Sequence, residues 1–264
     1  MRNIKLLIQY DGTNYHGWQK QLNVSTIHGA IEEAIKLVTN EEVKITGASR
    51  TDSGVHAVGQ TANFQTQSNL PVETLSKAIN AKLPSDIAII RAEEADIEFN
   101  ARFNATGKWY RYLIFSETRK APLQNRYCSL IKENLDLDKM EKAADLFLGK
   151  HDYSAFGAQI QPEDDTICTI NSIELNESIL LFPVYIGEKH LTTDSKREKL
   201  LIIDIHGDRF LYKMVRTICG TLVEVGRGRW EPEHILTVFE SKDRHCAGPT
   251  LEACGLFLME VRYK

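Results

Sequence analysis

Residues 43–66 read VKITGASRTDSGVHAVGQTANFQT, two β-type stretches at 43–48 and 56–66 separated by a polar, glycine-bearing loop. This pair is the centre of a longer pattern. Upstream, residues 3–10 form a strand. Residues 26–38 then place Ile27, Ala30, Ile31, Ala34, Ile35 and Val38 on one helical face, with Ser25 or Thr26 as N-cap. Downstream, Pro71 opens a helix whose Leu75, Ala78, Ile79 and Leu83 share a face. Residues 86–95, with Ile87, Ile89 and Ile90, make another strand. The order is β-α-β-β-α-β, that of a ferredoxin-like unit.

The second half repeats it. Residues 106–115 alternate as a strand, and residues 137–148 form a helix with Leu137, Met140, Ala144 and Phe147 inward. Strands follow near 167–182 and 199–206. A strongly apolar helix runs from 209 to 225 and stops at Gly226 as its C′ glycine. A short helix starts near Pro232, and a last strand occupies 256–263. The expected fold class is α+β: two tandem ferredoxin-like (RRM-like) halves, 1–105 and 106–264, sharing one continuous mixed, mainly antiparallel sheet. The polar segment 183–198 reads as an insertion or a long hairpin loop. Tandem units of this topology favour RNA binding. Neither half carries a convincing RNP1 pattern, which disfavours a simple RNA-recognition module.

With 42% hydrophobic and 26% charged residues in 264, the chain has the composition of a folded globular protein. A net charge of −4 and a pI near 6.1 argue against a bulk basic nucleic-acid binder, so a polyanion has to be held by a local patch. The absence of an apolar run after a basic start, or of a membrane-spanning stretch, leads to the expectation of a cytoplasmic protein with no membrane partner. The five cysteines are odd in number and include no Cys-x-x-Cys, so neither a disulfide framework nor a structural zinc site is expected. His245, Cys246 and Cys254 lack a fourth ligand at suitable spacing.

Arg50, Asp52 and Gly54 fall within the loop between the two central strands. An Arg next to a carboxylate suggests an ion pair and a guanidinium fork that fits phosphate. Taken alone, Asp-Ser-Gly is ordinary turn chemistry. Four further stretches stand out. Tyr10–Gln19 (YDGTNYHGWQ) is a turn with buried aromatics or a loop that approaches a polyanion or a base. Ala101-Arg102-Phe103 precedes a strand in which Lys108, Tyr110 and Tyr112 face one side and Trp109 and Arg111 the other. A Tyr flanked by cations suits a stacked base beside a phosphate, with stacking worth about 1–3 kcal/mol per base. A core aromatic strand fits as well. Residues 207–216 (GDRFLYKMVR) set Arg216 among Phe210, Met214, Val215 and Ile218. A buried Arg requires a partner, and Asp52 is the natural candidate. The alternative is an edge Arg whose head reaches water. Residues 247–250 (AGPT) lead as a loop into Gly255-Leu256-Phe257-Leu258.

These pieces are Tyr-Asp-Gly…Gly-Trp-Gln, Arg-Thr-Asp-x-Gly-Val-His-Ala, Ala-Arg-Phe with the following Tyr, Phe-Leu-Tyr-x-Met-Val-Arg, and the late Gly-Leu. With them in this order, the chain resembles the bacterial tRNA pseudouridine synthase A (TruA) family over nearly its whole length. The resemblance implies a pseudouridine synthase fold with a positively charged cleft between the halves, and a homodimer. It implies conversion of uridine to pseudouridine in the anticodon stem-loop of tRNA, at positions 38, 39 and 40. It also implies Asp52 as the catalytic carboxylate, Tyr110 stacked on the target base and Arg50 next to the flipped nucleotide. Arg216 then pairs with the carboxylate, and Leu256 lines the pocket. Two departures stand out. Ser49 replaces the family's usual glycine before Arg-Thr-Asp, and Leu251-Glu252 replaces the Ala-Pro of its late Pro-Thr-Ala-Pro loop, adding a negative charge near the expected cleft.

The reaction is an isomerisation, so it needs no redox cofactor, small-molecule cofactor or metal. It needs one carboxylate, as nucleophile on C1′ or C6 or as base at C2′. It also needs a base taken out of its stack, at a cost of a few kcal/mol. Lys108, Arg209, Lys213, Arg227 and Arg229 are candidate phosphate contacts. Two other readings compete: a catalytically silent or retargeted RNA-binding paralogue, and an unrelated Asp-nucleophile hydrolase. The latter usually carries a metal-binding acidic cluster, and the sequence around Asp52 has none.

Overall fold

Strict alternation buries Ile4, Leu6, Ile8 and Tyr10 on one face of β1 (Arg2–Tyr10). This face seats α1 (Ile27–Thr39), whose Ile27, Ile31, Ala34 and Ile35 close over it. Thr26 caps α1, its side chain accepting from the Gly29 N–H, and Asn40 ends it in the left-handed region at φ 59°. The computed structural model describes residues 1–116, 124–179 and 199–264. Within the first segment follow β2 (Thr46–Gly47), β3 (His56–Thr66), α2 (Val72–Asn80) and β4 (Ile87–Ala95). Pro71 sits at the N-cap of α2 as its position in the sequence predicts, and Leu75 and Ile79 turn inward. The strand expected over 43–48 shortens to the two residues of β2.

The second half contains β5 (Ala105–Ser116), β6 (Ser129–Ile131), α3 (Leu137–Asp145), β7 (Gly149–Asp152), β8 (Ile167–Ile179) and β9 (Lys199–Gly207). It ends with α4 (Met214–Gly226), α5 (His234–Ser241) and β10 (Leu256–Tyr263). The strands form one mixed sheet in the order β4-β1-β3-β10-β5-β9-β8-β7, with β2 on β3 and β6 on β5. Most neighbours are antiparallel. Strands β1–β4 meet β5–β10 through a short parallel pairing of β10 with β3, Phe257 opposite His56 and Leu258 opposite Ala57. The segment 183–198 lies outside the described residues. Among the described residues no helix is long and apolar enough to cross a membrane.

α4 is the core of the second half: twelve of its thirteen residues are buried, and only Arg216 is partly exposed. It begins five residues later than the helix expected from 209, because Lys213 adopts φ 62° and breaks the backbone there. Nothing in Arg-Phe-Leu-Tyr-Lys opposes a helix locally; residues 210–213 instead wall a cleft. Gly226 is also not the left-handed cap. It is helical, and its missing Cβ admits Met140, whose Sδ would lie 2.6 Å from one, while the left-handed glycine is Gly228 at φ 71°.

Gly220 of α4 allows the loop 247–251 to dock against the helix. A Cβ there would sit 1.8 Å from the Pro249 carbonyl oxygen. Gly220→Ala is expected to destabilise the protein by about 2–3 kcal/mol, despite the helix-propensity gain of about 1 kcal/mol, because the backbone it meets has nowhere to go. Urea unfolding of the two proteins checks this, and an unchanged midpoint would contradict it.

Candidate active site

The loop between β2 and β3 carries Ser49, Arg50, Thr51 and Asp52, and its shape is fixed by contacts outside it. The Trp18 N–H donates to the Thr51 carbonyl at 3.0 Å, and the Tyr10 and Thr51 hydroxyls share a 2.7 Å hydrogen bond. The Gln60 side chain bonds both backbone groups of Ser49, accepting from its N–H at 3.3 Å and donating to its carbonyl at 2.8 Å. Trp18, 1% exposed, packs against Gly47, where a Cβ would fall 2.5 Å from the indole. Gly17, at φ 86°, lets the Tyr10–Gln19 stretch pass behind Thr51 and Asp52.

That stretch is therefore a brace made of buried aromatics. Its Asp11 accepts from Thr13, Arg126 and Tyr127 and lies 3.2 Å from His56 Nδ1. Burial pushes the Asp11 carboxyl up, but the hydrogen bonds from Thr13 and Tyr127 and the nearby His56 outweigh it and bring it down to about 2. Burial in turn holds the His56 imidazole below its ordinary value.

Asp52 lines a cleft of about 390 Å³ together with Arg50, Arg102, Lys108, Tyr110, Phe210, Lys213 and Leu256. Arg216 Nη1 donates to Asp52 Oδ2 at 2.7 Å, and both side chains are 13% exposed. Arg216 Nε donates to the Leu251 carbonyl at 2.7 Å, so the guanidinium ties the loop 247–251 to the carboxylate. Asp52 Oδ1 accepts no hydrogen bond among the described residues. Tyr110 lies edge-on to Phe210 at 5.1 Å, and its hydroxyl donates to Ser49 Oγ at 3.3 Å. Burial pushes the Tyr110 phenol up to about 12, so it is neutral at physiological pH. Lys108, two residues back on the same strand face, has no carboxylate partner among the described residues. Its burial, reinforced by Arg102 and Arg209, lowers it to about 8.

All five residues singled out from the sequence meet here. Arg50, Asp52, Tyr110 and Leu256 line the cleft, and Arg216 reaches Asp52 from α4. The partner of Asp52 is Arg216, however, and not its neighbour Arg50, which is exposed at the rim. Ser49 is buried and has no positive φ, so this backbone does not require the glycine usual there. Glu252 is exposed and its carboxylate is absent from the cleft wall. Arg227 and Arg229 are bound to Glu224 beyond the far end of α4, about 16 Å along the axis from Arg216, and do not belong to the site. Gln60, the Leu251 carbonyl and Arg102 were not assigned roles from the sequence. A polar Gln at a core-facing strand position was the one available signal.

Lys213 combines a left-handed backbone with a place in the cleft wall. Lys213→Gly is expected to raise stability by about 0.5–1 kcal/mol by relieving that conformation. It should also weaken binding of a polyanion through the lost cation, and melting curves and binding isotherms read the two effects separately.

A family model described as tRNA pseudouridine synthase matches residues 6–104 and 143–264. The chain belongs to the tRNA pseudouridine synthase family. It is 44% identical over 263 residues to the tRNA pseudouridine synthase A of Acetivibrio thermocellus, and 44% to the tRNA pseudouridine synthase A 2 of Clostridium perfringens. A Thermoanaerobacter sp. tRNA pseudouridine synthase A is 40% identical; each of these alignments covers 100% of both chains. Its likeness to a solved dye-decolorizing protein from V. cholerae is a TM-score of 0.20 at 12% identity, over 98% of this chain and 91% of that one, too low to bear on the fold.

Proposed function

We propose that this chain is an isomerase that converts uridine to pseudouridine in tRNA, at positions 38, 39 and 40 of the anticodon stem-loop, with Asp52 as the catalytic carboxylate. The observation that carries the reading is the asymmetry of Asp52, a residue of a cleft rimmed by cations: Oδ2 is held by Arg216, and Oδ1 has no hydrogen-bond partner among the described residues. In the reaction the N1–C1′ bond breaks, the uracil turns and C5 bonds to C1′. The C5 proton leaves and N1 gains one, so composition is unchanged. Asp52 Oδ1 serves each route, as nucleophile at C1′ or C6 or as base at C2′.

Tyr110 supplies the face on which the extruded uracil stacks, and Leu256 the apolar wall beneath it. Arg50, exposed at the rim, holds the flipped nucleotide's backbone. Arg216 fixes the carboxylate. The cleft-lining residues include Arg50, Arg102, Lys108 and Lys213 but Asp52 as their one carboxylate, which supports local binding of RNA by a chain of net charge −4. The orders β4-β1-β3-β2 and β10-β5-β9-β8 support two ferredoxin-like halves, 1–105 and 106–264, with the cleft between them. We place the protein in the cytoplasm as a homodimer, in line with the family.

The test is pseudouridine mapping of an unmodified tRNA transcript carrying uridines at 38, 39 and 40. Pseudouridine at those sites supports the reading. Tight tRNA binding without modification would replace it with a silent paralogue, and modification elsewhere would move the target.

A further inference from the structure

Lys108 is an anomaly in the cleft. It projects from the first half of β5 into the cleft wall, its side chain is partly buried, and no carboxylate among the described residues pairs with it. A cation partly withdrawn from water normally has a counterion, because it loses part of its hydration. The nearby charges do not supply one. Asp52 is bound by Arg216, and Arg209 by Asp165. Arg102 and Lys213, on the β4–β5 and β9–α4 connections, add positive charge to the same wall. No described residue supplies the counterion, and an anionic ligand in the cleft brings one.

Position says which part of the ligand. Lys108 and Tyr110 stand on the same face of β5, about 7 Å apart along the strand. If Tyr110 stacks on a base, this spacing matches the span from a base to the phosphate of its own nucleotide. We propose that Lys108 contacts the phosphate of the extruded nucleotide. The proposal rests on tRNA being the substrate.

The sign follows from linkage. With its pKa at about 8 in the free protein, Lys108 is charged below that pH, and the phosphate then raises its pKa in the complex. Affinity is thus highest below pH 8 and declines as pH rises above it, by roughly tenfold between pH 7 and pH 9. The groups around Lys108 are Arg50 and Asp52 from the loop, Tyr110 on β5, Arg102, Arg209 and Lys213. A substitution that fixes the charge at Lys108 alone separates it from all of them.

The experiment is binding of an unmodified tRNA transcript from pH 7 to pH 9 at constant ionic strength, with calorimetry in two buffers of different ionisation enthalpy to count protons. The wild type is expected to lose about tenfold in affinity across the range and to take up about three-quarters of a proton near pH 8.5. Lys108→Arg should bind as the wild type does at pH 7, with a flat profile and no proton uptake. Lys108→Gln should bind about tenfold more weakly at pH 7, also flat, with its salt slope reduced by about one. A flat wild-type profile, or a slope that persists in Lys108→Arg, overturns the proposal and leaves the tRNA reading intact. Failure of the wild type to bind tRNA at any pH overturns both.

Discussion

Asp52→Asn is expected to lower the rate of pseudouridine formation by about 10³–10⁴-fold, with tRNA affinity within a few-fold of the parent. The amide is isosteric, and its carbonyl oxygen still accepts the Arg216 Nη1–H bond now made to Oδ2. The amide NH2 then occupies the position of the open Oδ1, where it can neither attack carbon nor take a proton. The loop should survive, because Trp18, Tyr10 and Gln60 hold it through Ser49 and Thr51 and not through the Asp52 side chain. Single-turnover assays on a defined transcript give the rate, and a melting curve shows that the fold is kept. Turnover within tenfold of the parent would remove Asp52 from the chemistry.

Much of the fold was legible because its elements obey local rules. The alternation of Ile4, Leu6 and Ile8 marks β1, Ser25-Thr26 marks the start of α1 (Thr26 is the cap) and Pro71 that of α2, and all three elements are where the pattern puts them. Local rules failed where tertiary demands intervened. Lys213 pays for a left-handed conformation so that residues 210–213 can wall the cleft, and no propensity signals that. Gly226 looks like a cap, but its small size serves packing on Met140. In the site, the Arg216–Asp52 pair was foreseeable, since an Arg on an apolar helix needs a counterion. The Leu251 carbonyl that aims Arg216 was not, because a backbone acceptor carries no residue-type signature. The separation of Lys108 from Arg227 and Arg229 was equally hidden, as a basic residue reads the same whether it faces a cleft or a glutamate.

Arg216 gives the second large effect, and it tests whether the guanidinium acts through the carboxylate. Its Nε and Nη1 point at two acceptors at once, the Leu251 carbonyl and Asp52 Oδ2, each at 2.7 Å. Arg216→Gln removes the charge and leaves the Asp52 carboxylate, 13% exposed, without its cation. A loss of about 3 kcal/mol in stability is expected, together with a rate about 10²-fold lower as the loop and the carboxylate lose their common anchor. Arg216→Lys keeps the charge, but a single ammonium cannot reproduce the two-pronged geometry, so an intermediate rate is expected. The deciding measurement is the double-mutant cycle with Asp52→Asn. If Arg216 works by holding Asp52, adding Arg216→Gln to Asp52→Asn costs the rate little more, and the coupling is large. If the two losses multiply, Arg216 touches the RNA on its own account, and its hydrogen bond to Asp52 is incidental to the rate.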